Sequence, residues 1–207
     1  MQNIFMICRE EPKNAYTDLG KTFSFRNLRS EELELWKAMP FDSLEEYYQY
    51  KDFMDDYYQR TYTSDESLFY KNTYVVNGAS EEILGTCTIW RAYGAFNSIH
   101  WLKVKKEYEG LGIGRALLTK IFKGLNKSDY PVYLHTQPES YRAIKLYSDF
   151  GFKILKDKII GPRINEYRDS LSYLRTNMPE QDFVKLKFGL APKKFIKFME
   201  TVKDDQF

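Results

Sequence analysis

The stretch with the most chemical content is Trp101 to Leu118, WLKVKKEYEGLGIGRALL. Gly110, Gly112 and Gly114 alternate between a strand candidate ending near Val104 and a helix pattern starting at Ile113. Residues without a Cβ let backbone N–H groups close in on a bulky anion. A helix N-terminus adds unpaired N–H donors and the positive end of the helix dipole. Together these make a site for phosphate or pyrophosphate. Two known phosphate motifs fail on residue identity. A G-x-G-x-x-G fingerprint counted from Gly110 would need glycine at Arg115, and counted from Gly112 it would need glycine at Leu117. A Walker loop would end in G-K-[ST], which is not present here.

Other chemistries are poorly supplied. Cys8 and Cys87 cannot form a disulfide framework or a four-cysteine zinc site, and His100 and His135 are the only histidines, so no metal is expected. Lys plus Arg number 31 against 29 for Asp plus Glu, a net charge of +2 that gives no reason to expect a nucleic-acid partner. No apolar run approaches the ~20 residues of a membrane span. Ile4 to Cys8 is followed at once by Arg9, Glu10 and Glu11, too short for a signal-peptide core. A soluble, cytoplasmic protein with reduced thiols is expected, as monomer or homodimer. Its 17 tyrosines and 15 phenylalanines argue for a well-packed domain.

The elements that position the glycine loop follow from hydrophobic period. Residues 4–9 and 22–28 read as strands, and Ser30 as the cap of a helix carrying Leu33, Trp36 and Met39 up to Pro40. A second helix begins at Ser43 with Leu44, Tyr47, Tyr48, Lys51, Met54, Tyr57 and Tyr58 on one stripe. Residues 73–77 and 83–91 form a hairpin pattern around GASEE, and 98–104 a further strand. After the loop comes a helix with Ile113, Leu117, Leu118, Ile121, Phe122 and Leu125 on one side. Strand 131–136, a helix from Pro138 to Phe150 and strand 152–155 complete the pattern. Further on, 170–175 and 192–202 read as helical, and 183–188 as either strand or helix. Antiparallel strands followed by β–α–β–α–β predict an α/β (α+β) domain with a mixed sheet flanked by helices.

The loop resembles the acetyl-CoA pyrophosphate loop of the GNAT superfamily of N-acetyltransferases. The family's [QR]-x-x-G-x-[GA] reads here Glu109-Gly110-Leu111-Gly112-Ile113-Gly114, with Glu109 in place of Gln or Arg. That carboxylate must point away from a pyrophosphate or pair with Arg115 or a nearby lysine. The preceding Leu102 and Val104 also match. A second block, SYRAIKLYSDFGF (140–152), resembles the family's N-x-x-A-x-x-L-Y-x-x-x-G-F, with Ser140 in place of Asn. FSFRNLRSEELELW (23–36) resembles its first strand and helix. The resemblance covers about residues 23–157. It leaves 1–22 as an N-terminal β-ribbon extension and 158–207 as a mostly helical C-terminal extension packing on the core.

The resemblance implies a splayed parallel strand pair, 98–104 and 131–136, with acetyl-CoA between them as co-substrate. It places the pyrophosphate on Glu109 to Arg115, the thioester near Leu102 and Val104, and Ser140 and the acid Tyr147 across the cleft. An acetyl group would then pass directly to a primary amine on a small molecule or peptide. Strand alternation puts Ser98, His100, Leu102 and Val104 on one face, which makes His100 a candidate base. The eight carboxylates Asp42, Glu45, Glu46, Asp52, Asp55, Asp56, Asp65 and Glu66 face only Lys51 and Arg60 in that span. They suit either a cationic acceptor or a solvated helix face over a core stripe. A non-catalytic acyl-CoA-binding sensor or interaction module on the same fold is the alternative function.

Overall fold

Five apolar residues in a row, Ile4–Cys8, form strand β1, and all five are buried. An unbroken apolar strand has to be covered on both faces. The computed structural model, which describes residues 2–203 and 206, places β1 inside the sheet. Along the chain follow β2 (Ser24–Asn27), α1 (Leu33–Ala38), α2 (Leu44–Thr61), α3 (Glu66–Asn72), β3 (Thr73–Asn77), β4 (Ile83–Ala92) and β5 (Phe96–Val104). Next come α4 (Ile113–Lys123), β6 (Val132–Thr136), α5 (Tyr141–Asp149), β7 (Lys153–Leu155), β8 (Ile159–Ile160) and β9 (Arg163–Ile164). α6 (Tyr167–Asn177), α7 (Glu180–Phe183), β10 (Phe188–Gly189) and α8 (Lys193–Met199) end the described chain.

Eight strands form one mixed sheet in the order β10-β7-β1-β6-β5-β4-β3-β2, and β8 and β9 make a separate hairpin. β1 pairs antiparallel with β6 on one side and β7 on the other. Ile4–Cys8, expected within an N-terminal ribbon extension, therefore supply a strand inside the sheet. Residues 183–188 fall to the end of α7, a loop and the start of β10. Helix α3 and the β8–β9 hairpin were not expected.

Two aromatic-rich layers cover the sheet. Ile4, Met6 and Cys8 join the layer under α4, α5 and α6, while Phe5 and Ile7 join the layer under α1, α2, α3 and α8. The second layer centres on Trp36, whose ring meets Phe69 at 5.0 Å, Tyr62 at 5.9 Å and Trp101 at 6.2 Å, all edge-on. Edge-to-face pairs of this kind add about 0.5–1.5 kcal/mol each beyond their buried area. No described helix is long and apolar enough to cross a membrane.

One irregularity shapes the centre of the molecule. In the β4–β5 ladder Thr86 faces Lys103 and Thr88 faces His100, so Cys87 alone opposes both Trp101 and Leu102. This is a β-bulge, and Trp101 sits in it at φ 51°. The extra residue reverses the alternation of side chains. Ile99, Leu102 and Val104 all join the α4/α5 layer, while Trp101 joins the α1/α2 layer. Parallel pairing of β5 with β6 covers only Asn97–Ile99 against Val132–Leu134, and beyond it the two strands part.

Candidate functional site

The glycine loop hangs from the end of β5. Gly110 and Gly112 both lie at φ 80°, a left-handed conformation that L-residues with a side chain rarely adopt. Gly112 is the N-cap of α4, and its carbonyl accepts the first intrahelical bond from the Ala116 N–H at 2.9 Å. The N–H groups of Ile113, Gly114 and Arg115 are thereby left without helical acceptors. A Cβ built on Gly110 or Gly112 meets nothing within 4 Å, so the space before the loop is open. At Gly114 a Cβ would lie 3.4 Å from Leu146 Cδ2 and 3.6 Å from Val104 Cγ2, which ties the loop to both α5 and the end of β5. Leu111 at the loop's tip is exposed.

Charge around the loop is arranged differently from expectation. Glu109 pairs with Arg142 of α5 at 2.5 Å, not with Arg115. Arg115 binds Asp149 and lies over the Phe150 ring. Burial alone would raise the Asp149 carboxyl, but Lys145 and Arg115 outweigh it and hold it below the usual carboxylate range.

Where β5 and β6 part, a cleft of about 590 Å³ opens. Its walls include His100, Leu102, Ser140 and Tyr147, four of the residues expected at the site. Val104 and residues 109–115 are not among the residues that line it. Tyr147 projects from α5, buried and 5.7 Å from the Phe152 ring. Burial first, then the nearby Cys87, pushes its phenol far up, so it is protonated at neutral pH and able to donate.

His100 departs from the expected placement. Because of the bulge at Trp101 it lies on the α2 face of the sheet, opposite Leu102 and Val104. Its Nδ1 is 2.7 Å from the Tyr62 hydroxyl and 3.3 Å from that of Tyr57, and its buried Nε2 has no hydrogen-bond partner. Burial, aided by Arg163, pushes its pKa down to about 3. The ring is therefore neutral in the physiological range. His135 is also pushed down to about 3, by burial and then by Arg163. Arg163 Nη1 lies 2.9 Å from His135 Nδ1 and can only donate, so the ring proton is on Nε2, donated to Asn3 Oδ1 at 2.8 Å.

Tyr57, expected on the stripe of the second helix, and Arg60, expected only as a counter-charge in the acidic span, both line the cleft from α2, and Arg163, not singled out in the sequence, lines it from the β8–β9 hairpin. The Gly161-Pro162 pair was a turn signal for that hairpin, but nothing local says that it reaches the cleft. The acidic span contributes no carboxylate to the cleft lining among the described residues. Asp42 holds Lys103 at 2.7 Å, Asp55 holds Lys37 and Lys51, and Asp56 holds Arg60 at 2.8 Å. Both cysteines are buried with their thiols pushed up, Cys8 to about 11, so neither is a thiolate. Among the described residues no group of three or more His, Cys, Asp or Glu gathers as metal ligands would.

Solved structures share this architecture. The chain is similar to PH1933 from Pyrococcus horikoshii OT3, with a TM-score of 0.51 and 23% identity over 69% of this chain and 93% of that one. It is also similar to a tandem GNAT protein from the clavulanic acid biosynthesis pathway, with a TM-score of 0.54 and 11% identity over 73% of this chain and 50% of that one. A GCN5-related N-acetyltransferase from Sphaerobacter thermophilus gives a TM-score of 0.45 and 17% identity, covering 73% of this chain. The match spans only 48% of that protein's length. The comparison with curated proteins gave no match. Residues 31–152, more than half of the chain, match the model of the Acetyltransferase (GNAT) family, and with its loop, parted strands and mixed sheet the chain belongs to that family.

Proposed function

We propose that the protein moves an acetyl group from acetyl-CoA to a primary amine by direct attack in a complex holding both substrates. The observation that carries this reading is the nearness of two features. Amides without helical acceptors open α4 where Gly114 packs close to Val104 at the end of β5, and the gap that opens where β5 leaves β6 has a buried tyrosine in its wall.

The residues present fit acetyl-CoA. The amides of 110–115 suit a pyrophosphate, and the pairing of Glu109 with Arg142 offsets the carboxylate beside it. Leu102, Val104 and Ser140 are suited to flank the uncharged pantetheine arm. Acetyl-CoA supplies an acyl group activated as a thioester. Lys105 N–H donates to Leu84 O at 2.8 Å, so strand alternation turns the Val104 N–H away from β4 and toward the gap. There it donates to the acyl oxygen as negative charge builds on it.

The amine nitrogen bonds to the acyl carbon, the carbon–sulfur bond breaks, and Tyr147 gives its proton to the departing sulfur. Nitrogen loses one proton as it becomes an amide, and that proton returns through solvent to the Tyr147 oxygen, so proton and charge balance. A lysine-like amine of pKa ~10.4 needs roughly 4–5 kcal/mol to expose its lone pair at pH 7. His100, with its pKa near 3, is too weak a base to hold that proton. Its Nδ1 is engaged by the Tyr62 and Tyr57 hydroxyls and its Nε2 is buried, so in this reading the ring is a neutral part of the cleft wall.

Thiol release from acetyl-CoA with a panel of amines tests the reading. Tyr147→Phe is expected to lower kcat about a hundredfold while leaving KM for acetyl-CoA unchanged. An unchanged kcat removes Tyr147 as the acid. Binding of acetyl-CoA with no turnover of any amine favours the non-catalytic acyl-CoA-binding module instead.

A further inference from the structure

Aromatic rings form a row along the α2 side of the cleft. Phe53 and Tyr57 stand four residues apart on α2, the spacing that puts two side chains on one helix face, and their ring centroids are 6.2 Å apart. Trp101 continues the row, its ring edge-on to Tyr57 at 5.3 Å. All three line the cleft. Trp101 reaches this side of the sheet only because of the bulge in β5, so the irregular strand and the regular helix build one wall together. Tyr57 and Trp101 are partly buried, while Phe53 is 51% exposed.

The ionic groups in the same lining already have protein partners. Lys103 is held by Asp42 at 2.7 Å and Arg60 by Asp56 at 2.8 Å, and Arg163 donates to His135 Nδ1 at 2.9 Å. No Asp or Glu lines the cleft among the described residues, so a second ammonium on the acceptor would meet cations and no carboxylate. What the lining leaves without a partner is ring surface. A single exposed phenylalanine is ordinary on a protein surface. One set in line with two further rings inside a cleft offers an apolar guest a continuous wall.

From this we propose that the acceptor is an amine on an apolar body, an arylalkyl amine, and that Phe53, Tyr57 and Trp101 receive its ring. The inference rests on the acetyltransferase reading of the same cleft. Leu102, Ala143 and Tyr147 line the cleft from the other layer, under α4 and α5, where that reading places the acyl group. An acceptor whose ring lies on the α2 row presents its amine across the cleft to that side. Phe53, the exposed end of the row, is a specificity-determining residue.

The test compares phenethylamine, ethanolamine and putrescine in the thiol-release assay, alongside calorimetric titration with acetyl-CoA. Phenethylamine and ethanolamine are primary amines of similar basicity, so basicity does not separate them, and putrescine adds a second ammonium. Wild type is expected to favour phenethylamine over both by about tenfold or more in kcat/KM, the discrimination that an apolar contact surface supplies. Phe53→Ala should bring the ratio to ethanolamine close to one, by raising KM for phenethylamine more than for ethanolamine, and should bind acetyl-CoA as wild type does. Phe53→Leu should restore part of the preference. Equal use of the three amines, preference for ethanolamine or putrescine, or an unchanged ratio in Phe53→Ala would overturn the proposal and leave the acetyltransferase reading standing. No turnover of any amine, with or without acetyl-CoA binding, would overturn both.

Discussion

His100 and His135 are two buried rings that the fold keeps neutral, and they give stability a distinctive pH dependence. Both take a proton near pH 6.5 when unfolded and only near 3 when folded. Between those values the unfolded chain holds more protons, so their contribution is complete above about pH 6.5 and is lost as pH falls toward 3. Each ring removes at most about 1.4 kcal/mol per pH unit. Denaturant unfolding followed from pH 8 to 4 should show stability declining already below 6.5, before the carboxylates titrate. His135→Gln, which keeps a polar side chain beside Arg163, should reduce the slope, and a flat profile down to pH 5 would contradict the burial of both rings. At this scale the sequence was informative about identity and poor about direction. Tyr147 and His100 were both singled out and both line the cleft, but the face of His100 was misread. Period-2 alternation cannot see a bulge whose only mark is a tryptophan at positive φ. Arg163 was invisible for a different reason, since a hairpin far along the chain is brought to the cleft by tertiary packing alone.

Among the elements, the loop and the first turn of α4 were legible because their constraints are local. Gly110 and Gly112 must adopt positive φ, and Gly114 must pass close to α5, so glycine spacing alone records the geometry. Which cation answers Glu109 was not legible, because Arg142 belongs to α5 and approaches only after the sheet has formed. That pair is exposed on the arginine side, so its contribution to stability is small, about 0–1 kcal/mol. Its effect belongs to ligand affinity. Glu109→Gln removes a negative charge beside the proposed pyrophosphate site and releases Arg142 toward it. Acetyl-CoA should bind roughly threefold tighter at low salt, with the gain shrinking at high ionic strength. Weaker binding by the variant would mean that the carboxylate itself supports the loop.

At the scale of the whole molecule, the order of elements was readable and their neighbours were not. Ile4–Cys8 announces a strand covered on both faces by its unbroken apolar run, but nothing near it in sequence says that β6 and β7 are its partners. Central placement of β1 joins the part of the sheet that carries the cleft to the part that carries β7 and β10. The aromatic content has a similar global use. Tyr62, Phe69 and Trp101 each meet Trp36 edge-on, and the cluster braces α1, α2 and α3 against the bulged strand. Trp36→Ala should cost about 3–5 kcal/mol in denaturant unfolding, and should also lower turnover by loosening Trp101. A loss under 1 kcal/mol would show that the cluster does not brace the fold.

The central claim is that this loop and cleft bind acetyl-CoA, and calorimetric titration of the purified protein tests it most directly, with AMP and desulfo-CoA as controls. Saturable binding of acetyl-CoA and desulfo-CoA is expected, weak or absent for AMP, and lost in Gly112→Asp, where a side chain at φ 80° and a new carboxylate both oppose the pyrophosphate. No binding at millimolar acetyl-CoA, or binding unaffected by Gly112→Asp, would contradict it.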